Sequence, residues 1–163
     1  MPFNPNEPRN DRGRWTASEV LYPNLPGENS NRPGKRYVSD EKPENILKKT
    51  DKNGYVSAGP DKGSHECAAL VKAAIPQLGP TSGWKKGADI TGPDDPNLQP
   101  GTGIGYGFGK DGSYPNNPHG QHSAFVGSRH DGKNTIIEQW RGTPARQRDM
   151  KPGEETRWSV ITR

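Results

Sequence analysis

The clearest helix of this chain begins beside its single cysteine, and no other segment constrains the fold as strongly. Its apolar residues recur with the i, i+3, i+4, i+7 spacing of one buried stripe. Those residues are Cys67, Leu70, Val71, Ala74, Ile75 and Leu78. With Ser64 as its N-cap, we predict that the helix begins near His65. Cys67 then lies in the first turn, where unpaired backbone N–H groups and the helix dipole lower the pKa of a thiol.

Glycine and proline limit the size of the core. Of 163 residues, 26% are hydrophobic, and 21 are glycine and 17 proline, which leaves room for one domain with a small core. Apolar segments concentrate after residue 55, whereas the first third of the chain is rich in Asn, Pro, Arg, Glu and Lys. We therefore predict a polar N-terminal arm over residues 1–50, extended or weakly structured, and an α+β domain over residues 51–163.

The second half of the chain has the pattern of an antiparallel sheet. Residues 122–127 and 135–140 are apolar runs joined by turn residues, among which Asp131-Gly132 is the strongest hairpin signal. Residues 102–108 read as a glycine-rich strand, and residues 158–161 as a closing strand. The glycines of residues 102–108 fall at every second position, and this spacing excludes a phosphate-binding loop.

The predicted hairpin brings a histidine close to an acid. His122 starts the first strand and Glu138 lies near the end of the second, so an antiparallel pairing makes them neighbours. Glu138 lies between Ile136 and Trp140 on one strand face and needs a partner to offset its desolvation. A register shifted by one residue would present Gln139 instead.

Each of these residues also has an ordinary structural interpretation. A free cysteine on an apolar stripe is often a small core residue, so Cys67 alone does not define a site. His122 can equally cap a strand edge. The combination of residues favours a catalytic role, because a lone cysteine with a histidine and an acid on later segments is a candidate nucleophile.

Charge and composition exclude several other classes. The net charge of +4 suits contact with a polyanion, but the basic residues are scattered, so a nucleic-acid partner is a minor alternative that rests on charge alone. No segment is long and apolar enough to span a membrane, and residues 1–20 lack the apolar core of a signal peptide. A single cysteine excludes an internal disulfide. His119 and His122, with Asp111 or His130, form only a weak metal pattern, so we predict no metal and no cofactor.

Four short motifs, in this order and spacing, carry a family resemblance. They are G-x-x-x-C-x-x-L-V around Cys67, L-x-P-G at residues 98–101, G-x-H ending at His122, and E-Q-W from Glu138. Together they resemble the NlpC-like and CHAP-type cysteine peptidases and amidases of bacterial peptidoglycan, over about residues 54–162. Small single-domain members, including secreted effectors, are the most similar. Residues 3–16 resemble segments of phage-derived bacterial proteins.

The resemblance implies a papain-like domain over residues 51–163, with a nucleophile helix packed on a small antiparallel sheet. It implies Cys67 as nucleophile, His122 as general base and acid, and Glu138 as the group that orients the imidazole, with Gln139 as the alternative. Tyr55 is the second oxyanion donor that the resemblance implies, and an ordinary packed aromatic is its structural interpretation.

The function that follows is cleavage of an amide bond in peptidoglycan by a Cys-His-Glu mechanism. Either an N-acetylmuramoyl-L-alanine amidase or a stem-peptide endopeptidase fits. We expect a protein made in the bacterial cytoplasm that acts at the cell wall after specialised secretion or lysis, as an antibacterial effector or a phage lysis enzyme. An immunity protein is the expected partner of an effector. The alternative is an inactive papain-fold module that binds wall peptides or a protein.

Overall fold

A computed structural model describes residues 18–21 and 35–163. The predicted resemblance of residues 3–16, and most of the predicted arm, lie outside these residues. The strands are β1 (Ser18–Leu21), β2 (Lys35–Val38), β3 (Lys85–Asp89), β4 (Gly103–Tyr106), β5 (His122–Val126), β6 (Thr135–Trp140), β7 (Thr143–Asp149) and β8 (Ser159–Thr162). The α-helices are α1 (Pro43–Ile46) and α2 (Cys67–Ala74). Short 3₁₀ helices cover Leu47–Lys49, Gly59–Asp61, Pro76–Leu78, Thr81–Gly83 and Glu154–Arg157.

An antiparallel sheet of six strands forms the centre of the fold, in the order β3-β8-β4-β5-β6-β7. Strands β1 and β2 form a separate antiparallel pair. Helix α2 packs against β5 and β6. The described residues are thus mainly an antiparallel sheet with few helices, in keeping with the predicted α+β class.

Alternating side chains of the sheet enter two apolar clusters. Phe125 and Ile137 pack with the buried face of α2, whereas Val126 and Ile136 pack away from it. The cluster beside α2 comprises Tyr37, Ile46, Val56, Leu70, Val71, Ala74, Ile75, Leu78, Trp84, Tyr114, Phe125, Ile137 and Ile161. The other comprises Ile90, Leu98, Ile104, Ala124, Val126, Ile136, Met150, Trp158 and Val160. The two clusters hold the central strands between them, so their residues are fixed on both faces.

Helix α2 begins later and ends earlier than the periodicity predicts. Ser64 is not the N-cap; its hydroxyl accepts the Glu66 N–H at 3.2 Å, and Glu66 is the extended residue that precedes the helix. The His65 ring stacks on Tyr55 with centroids 3.8 Å apart, which holds this approach outside the helix. At the other end Pro76 disfavours helical geometry at Ile75, and the apolar stripe continues as a 3₁₀ turn.

The hairpin and the closing strand lie where the sequence places them. Strands β5 and β6 are joined through Asp131 and Gly132, both with positive φ (49° and 75°), as an Asp-Gly hairpin turn requires. Strand β8 includes most of the predicted closing strand. Strands β3 and β7, at the two edges of the sheet, are absent from the prediction because their sequences, KKGAD and TPARQRD, lack apolar alternation.

The described end of the predicted arm packs on the domain. Tyr37 and Ile46 belong to the apolar cluster beside α2, and Val38 bridges to Thr102. The division of the chain at residue 50 stays a prediction. Within the described residues, no helix is long and apolar enough to cross a membrane.

Candidate active site

The start of α2 fixes the position of Cys67. Cys67 is the first residue of the helix, so its backbone N–H belongs to the turn that has no intrahelical acceptors. The Gln139 side-chain amide donates to the Glu66 carbonyl at 3.0 Å and so ties β6 to the residue before the helix. The Glu66 carboxylate pairs with Arg141 at 2.9 Å, an exposed contact.

The β5–β6 hairpin brings His122 and Glu138 into contact. Its register pairs Phe125 with Ile137 and Val126 with Ile136, which places the start of β5 beside the end of β6. His122 Nε2 lies 3.1 Å from Glu138 Oε1, and both side chains are buried. The other ring nitrogen is then the one available to the Cys67 thiol.

Of the two candidates for the acid position, Glu138 is the one that contacts the imidazole. Gln139 lies on the other face of β6 and is fully buried. Its side chain accepts the Val56 N–H at 2.8 Å and donates to the Val56 carbonyl at 2.9 Å. Gln139 therefore holds the segment before α2 and has no contact with His122 among the hydrogen bonds of the described residues.

At the thiol and the imidazole, hydrogen bonds and charge shift the pKa more strongly than burial does. Burial alone would raise the pKa of Cys67, but the neighbouring imidazole of His122, as hydrogen-bond partner and as positive charge, lowers this pKa to about 7. Burial alone would lower the pKa of His122, but hydrogen bonds to Cys67 and Glu138 raise it to about 9. A thiolate beside an imidazolium is therefore the expected ionisation state between these two values.

Two arginines hold the second oxygen of Glu138. Arg148 Nε donates to Glu138 Oε2 at 2.6 Å, and Arg146 Nη2 donates to the same oxygen at 3.1 Å. Arg148 in turn makes two 2.8 Å bonds to Glu154. Burial would raise the pKa of Glu138, but hydrogen bonds from His122 and Arg148 and their charges lower it to about 2. The acid is therefore ionised at every pH at which the imidazole titrates.

Three aromatic rings surround the imidazole. Tyr106, Trp140 and Trp158 have ring centroids 5.7, 5.6 and 5.8 Å from that of His122. Trp140 is 37% exposed and stands edge-on to the imidazole. These rings restrict access of water to His122, which strengthens its contact with Glu138.

Cys67 and His122 open into a cleft of about 840 Å³. Its lining combines the start of α2, the turn after β6 and the loop before β5. The lining residues are Asp61, Ser64, Glu66, Cys67, Ala68, Ala69, Lys72, Thr81, Tyr114, Asn116, Asn117, Pro118, His119, Gln121, His122, Trp140 and Arg141. An activated thiol on the wall of an open cleft can attack the carbonyl carbon of a bound substrate.

Tyr55 is placed differently from the oxyanion role that the resemblance implies. Its hydroxyl accepts the Gly142 N–H at 3.1 Å, its ring stacks on His65, and it is absent from the cleft lining. The tyrosine that reaches the thiol is Tyr114, whose hydroxyl lies 3.7 Å from Cys67 Sγ.

The residues that the sequence analysis missed lie in a loop and on an unpredicted strand. Tyr114 stands in a polar stretch without periodicity, and nothing in the sequence singles it out. Arg146 and Arg148 could have been noticed as a basic pair at i, i+2, on one face of β7 opposite the strand that carries Glu138.

His119 lines the cleft, and His130 is exposed on the hairpin beside Asp149. Among the described residues, no group of three His, Cys, Asp or Glu side chains could hold a metal ion.

The chain belongs to the family domesticated amidase effector 2, whose family model matches residues 39–159. A curated relative is the type VI secretion amidase effector 2 protein of Salmonella typhi, which is 32% identical over 87 residues. That alignment covers 53% of this chain and 62% of the relative, so the chain spans less than two thirds of the relative's length. A solved structure described as type 6 secretion amidase effector 2 matches 64% of this chain and 86% of its own, with 21% identity and a TM-score of 0.45.

Proposed function

We propose that this protein hydrolyses an amide bond of peptidoglycan by nucleophilic attack of Cys67. The observation that carries the proposal is that Cys67 and His122 line one cleft and that the imidazole of His122 lies 3.1 Å from the Glu138 carboxylate. The lowered pKa of the Cys67 thiol agrees with this arrangement. Membership of an amidase effector family supports the same class of reaction.

In the proposed mechanism, His122 holds the proton of the Cys67 thiol as an ion pair before substrate binds. The thiolate attacks the amide carbonyl carbon, and the C=O electron pair moves to the oxygen. His122 then donates its proton to the leaving nitrogen as the C–N bond breaks, which leaves a thioester on Cys67. Water, deprotonated by His122, attacks the thioester and releases a carboxylic acid and the thiolate. Glu138 stays ionised throughout and stabilises the imidazolium.

The papain-like interpretation of the fold belongs to this proposal. A papain-like hydrolase presents its thiol at the start of a helix and its histidine on a packed antiparallel sheet, and helix α2 and strand β5 supply these two parts here. The NlpC-like and CHAP-type resemblance describes the same arrangement more broadly than the effector family does.

We further propose that the protein acts as an antibacterial effector. The curated relative is described as a type VI secretion effector, and this favours specialised secretion to the cell wall over phage lysis. The partner of such an effector is an immunity protein in the producing cell. A protein that covers the open cleft and its Cys67 wall would suffice for inhibition.

Digestion of purified peptidoglycan sacculi tests the proposal. We expect the wild type to release fragments with new free amines and no new glycan reducing ends, and mass spectrometry then distinguishes a muramoyl–alanine bond from a stem-peptide bond. Cys67→Ala should release nothing, whereas His130→Ala, which removes an exposed histidine on the hairpin, should match the wild type.

Two results would contradict the proposal. Equal digestion by Cys67→Ala would exclude the cysteine mechanism. Folded wild type that cosediments with sacculi but releases no fragments would identify an inactive binding module instead.

A further inference from the structure

The proposed mechanism requires two hydrogen-bond donors for the oxygen that becomes negatively charged. The Cys67 backbone N–H, in the first turn of α2, is one of them. Tyr55 is unsuited to be the second, because its hydroxyl meets the Gly142 N–H and it does not line the cleft. The second donor must come from another wall of the cleft.

Tyr114 lies on that wall, in the loop between β4 and β5. Its hydroxyl is 3.7 Å from Cys67 Sγ, and the side chain is 8% exposed. The ring packs against Trp84 and Phe108, with centroids 5.1 and 5.7 Å away, and the Tyr114 N–H donates to the Trp84 carbonyl at 3.2 Å. Backbone and ring are both held, so the hydroxyl has a defined place beside the thiol.

We propose that the Tyr114 hydroxyl is the second oxyanion donor of this enzyme and therefore a catalytic residue. The inference rests on the proposed function. When the thiolate forms its bond to carbon, the charged oxygen accepts hydrogen bonds from the Cys67 N–H and the Tyr114 O–H. No proton is transferred to the oxygen, and both bonds are released when the C=O bond re-forms.

The distances suit this role. An oxyanion donor must lie about 3 Å from the charged oxygen. In the adduct that oxygen is two bonds from Sγ, so a hydroxyl 3.7 Å from Sγ lies close to the place where the oxygen becomes charged.

The protonation state of Tyr114 is also suitable. Burial, together with the charge of the nearby thiolate, raises the pKa of Tyr114 well above its ordinary value. The hydroxyl consequently keeps its proton at every pH at which the thiol and the imidazole titrate. Before substrate binds, the same O–H is directed at the thiolate.

Tyr114→Phe is the direct test, because it removes only the hydroxyl and keeps the ring between Trp84 and Phe108. On soluble muropeptides released from sacculi by a muramidase, we expect kcat to fall about 100-fold with KM changed less than about threefold. Tyr55→Phe tests the rival donor and should reduce kcat less than tenfold. Thermal unfolding of both variants establishes that they are folded.

The outcomes separate this inference from the proposed function. A kcat for Tyr114→Phe within about threefold of the wild type, with Cys67→Ala inactive, would overturn the role of Tyr114 alone. A larger loss in Tyr55→Phe than in Tyr114→Phe would do the same. Absence of turnover by the wild type would overturn both.

Discussion

The reactivity of Cys67 depends on a balance between burial and its neighbours. Burial opposes the thiolate, and the neighbouring imidazole of His122 favours it. Glu138, whose second oxygen is bound by Arg148, in turn favours the imidazolium. The thiolate that attacks substrate is therefore stabilised by His122 and, through His122, by Glu138.

Alkylation of Cys67 should report this ion pair. We expect the rate of reaction with iodoacetamide to rise with pH around a midpoint near 7, below the ordinary thiol value of about 8.5. In His122→Ala the midpoint should rise to about 8.5 or above, because burial is then no longer offset by the imidazole. The single cysteine makes the labelling site unambiguous. A wild-type midpoint at or above 8.5 would show that Cys67 is an ordinary thiol.

Strand β6 supports the site from both of its faces. Glu138 faces His122 and the arginines of β7, and Gln139, on the opposite face, holds Val56 and the Glu66 carbonyl before α2. One strand thus sets the position of the acid and of the nucleophile helix. A one-residue slip of β6 would disrupt both contacts at once.

The two arginines of β7 should contribute unequally. Arg148, with 26% side-chain exposure, joins Glu138 to Glu154, and Arg148→Met removes one partner from each carboxylate, whereas Glu138 keeps its contacts with His122 and Arg146. We expect a loss of about 1–3 kcal/mol in the free energy of unfolding and a higher pKa of His122, because a positive charge is removed while Glu138 stays ionised. Arg146 is 47% exposed, so Arg146→Met should cost less than about 1 kcal/mol.

Urea unfolding gives the first quantity and NMR titration of the His122 ring the second. Equal effects of the two substitutions would show that the link to Glu154 has no particular importance. An unchanged His122 pKa in Arg148→Met would show that the β7 arginines act on stability alone.

The ionisation of Glu138 makes the stability of the whole molecule depend on pH in the acid range. Its pKa falls from 4.5 to about 2 on folding, so its stabilisation is present above pH 4.5 and is lost as the pH falls through about 2. At 1.36 kcal/mol for each pH unit this amounts to about 3 kcal/mol.

Thermal unfolding at several pH values, for wild type and Glu138→Gln, isolates this contribution from those of the other carboxylates. The stability difference between the two proteins should shrink as the pH falls from 6 to 2. Parallel curves over this range would show that Glu138 contributes no pH-dependent stability.

Much of the fold follows from the sequence, and the reasons for the exceptions are physical. The amphipathic period of α2 and the Asp131-Gly132 turn are local signals, and the structure shows both elements. Strands β3 and β7 are stabilised by pairing with β8 and β6, a tertiary effect that leaves no apolar pattern in polar segments. The start of α2 is displaced by contacts of His65 and Glu66 with residues distant in the sequence.

The candidate site divides in the same way. The sequence predicts that Cys67, His122 and Glu138 meet, because helix position and hairpin pairing place them, and the structure brings them together. The residues around them come from long-range packing. Tyr114 replaces Tyr55 beside the thiol because the Phe108–Tyr114 contact folds a polar loop over the cleft, and no local pattern specifies that loop.

Values of kcat/KM on one soluble muropeptide show whether Cys67 and His122 act as one unit. The four proteins to compare are the wild type, Cys67→Ala, His122→Ala and the double variant. We expect each single substitution to lower kcat/KM by roughly 1,000-fold or more, and the double variant to be no less active than the less active single variant. Losses that multiply in the double variant, or a single variant with activity near that of the wild type, would show that the two residues do not act as one unit.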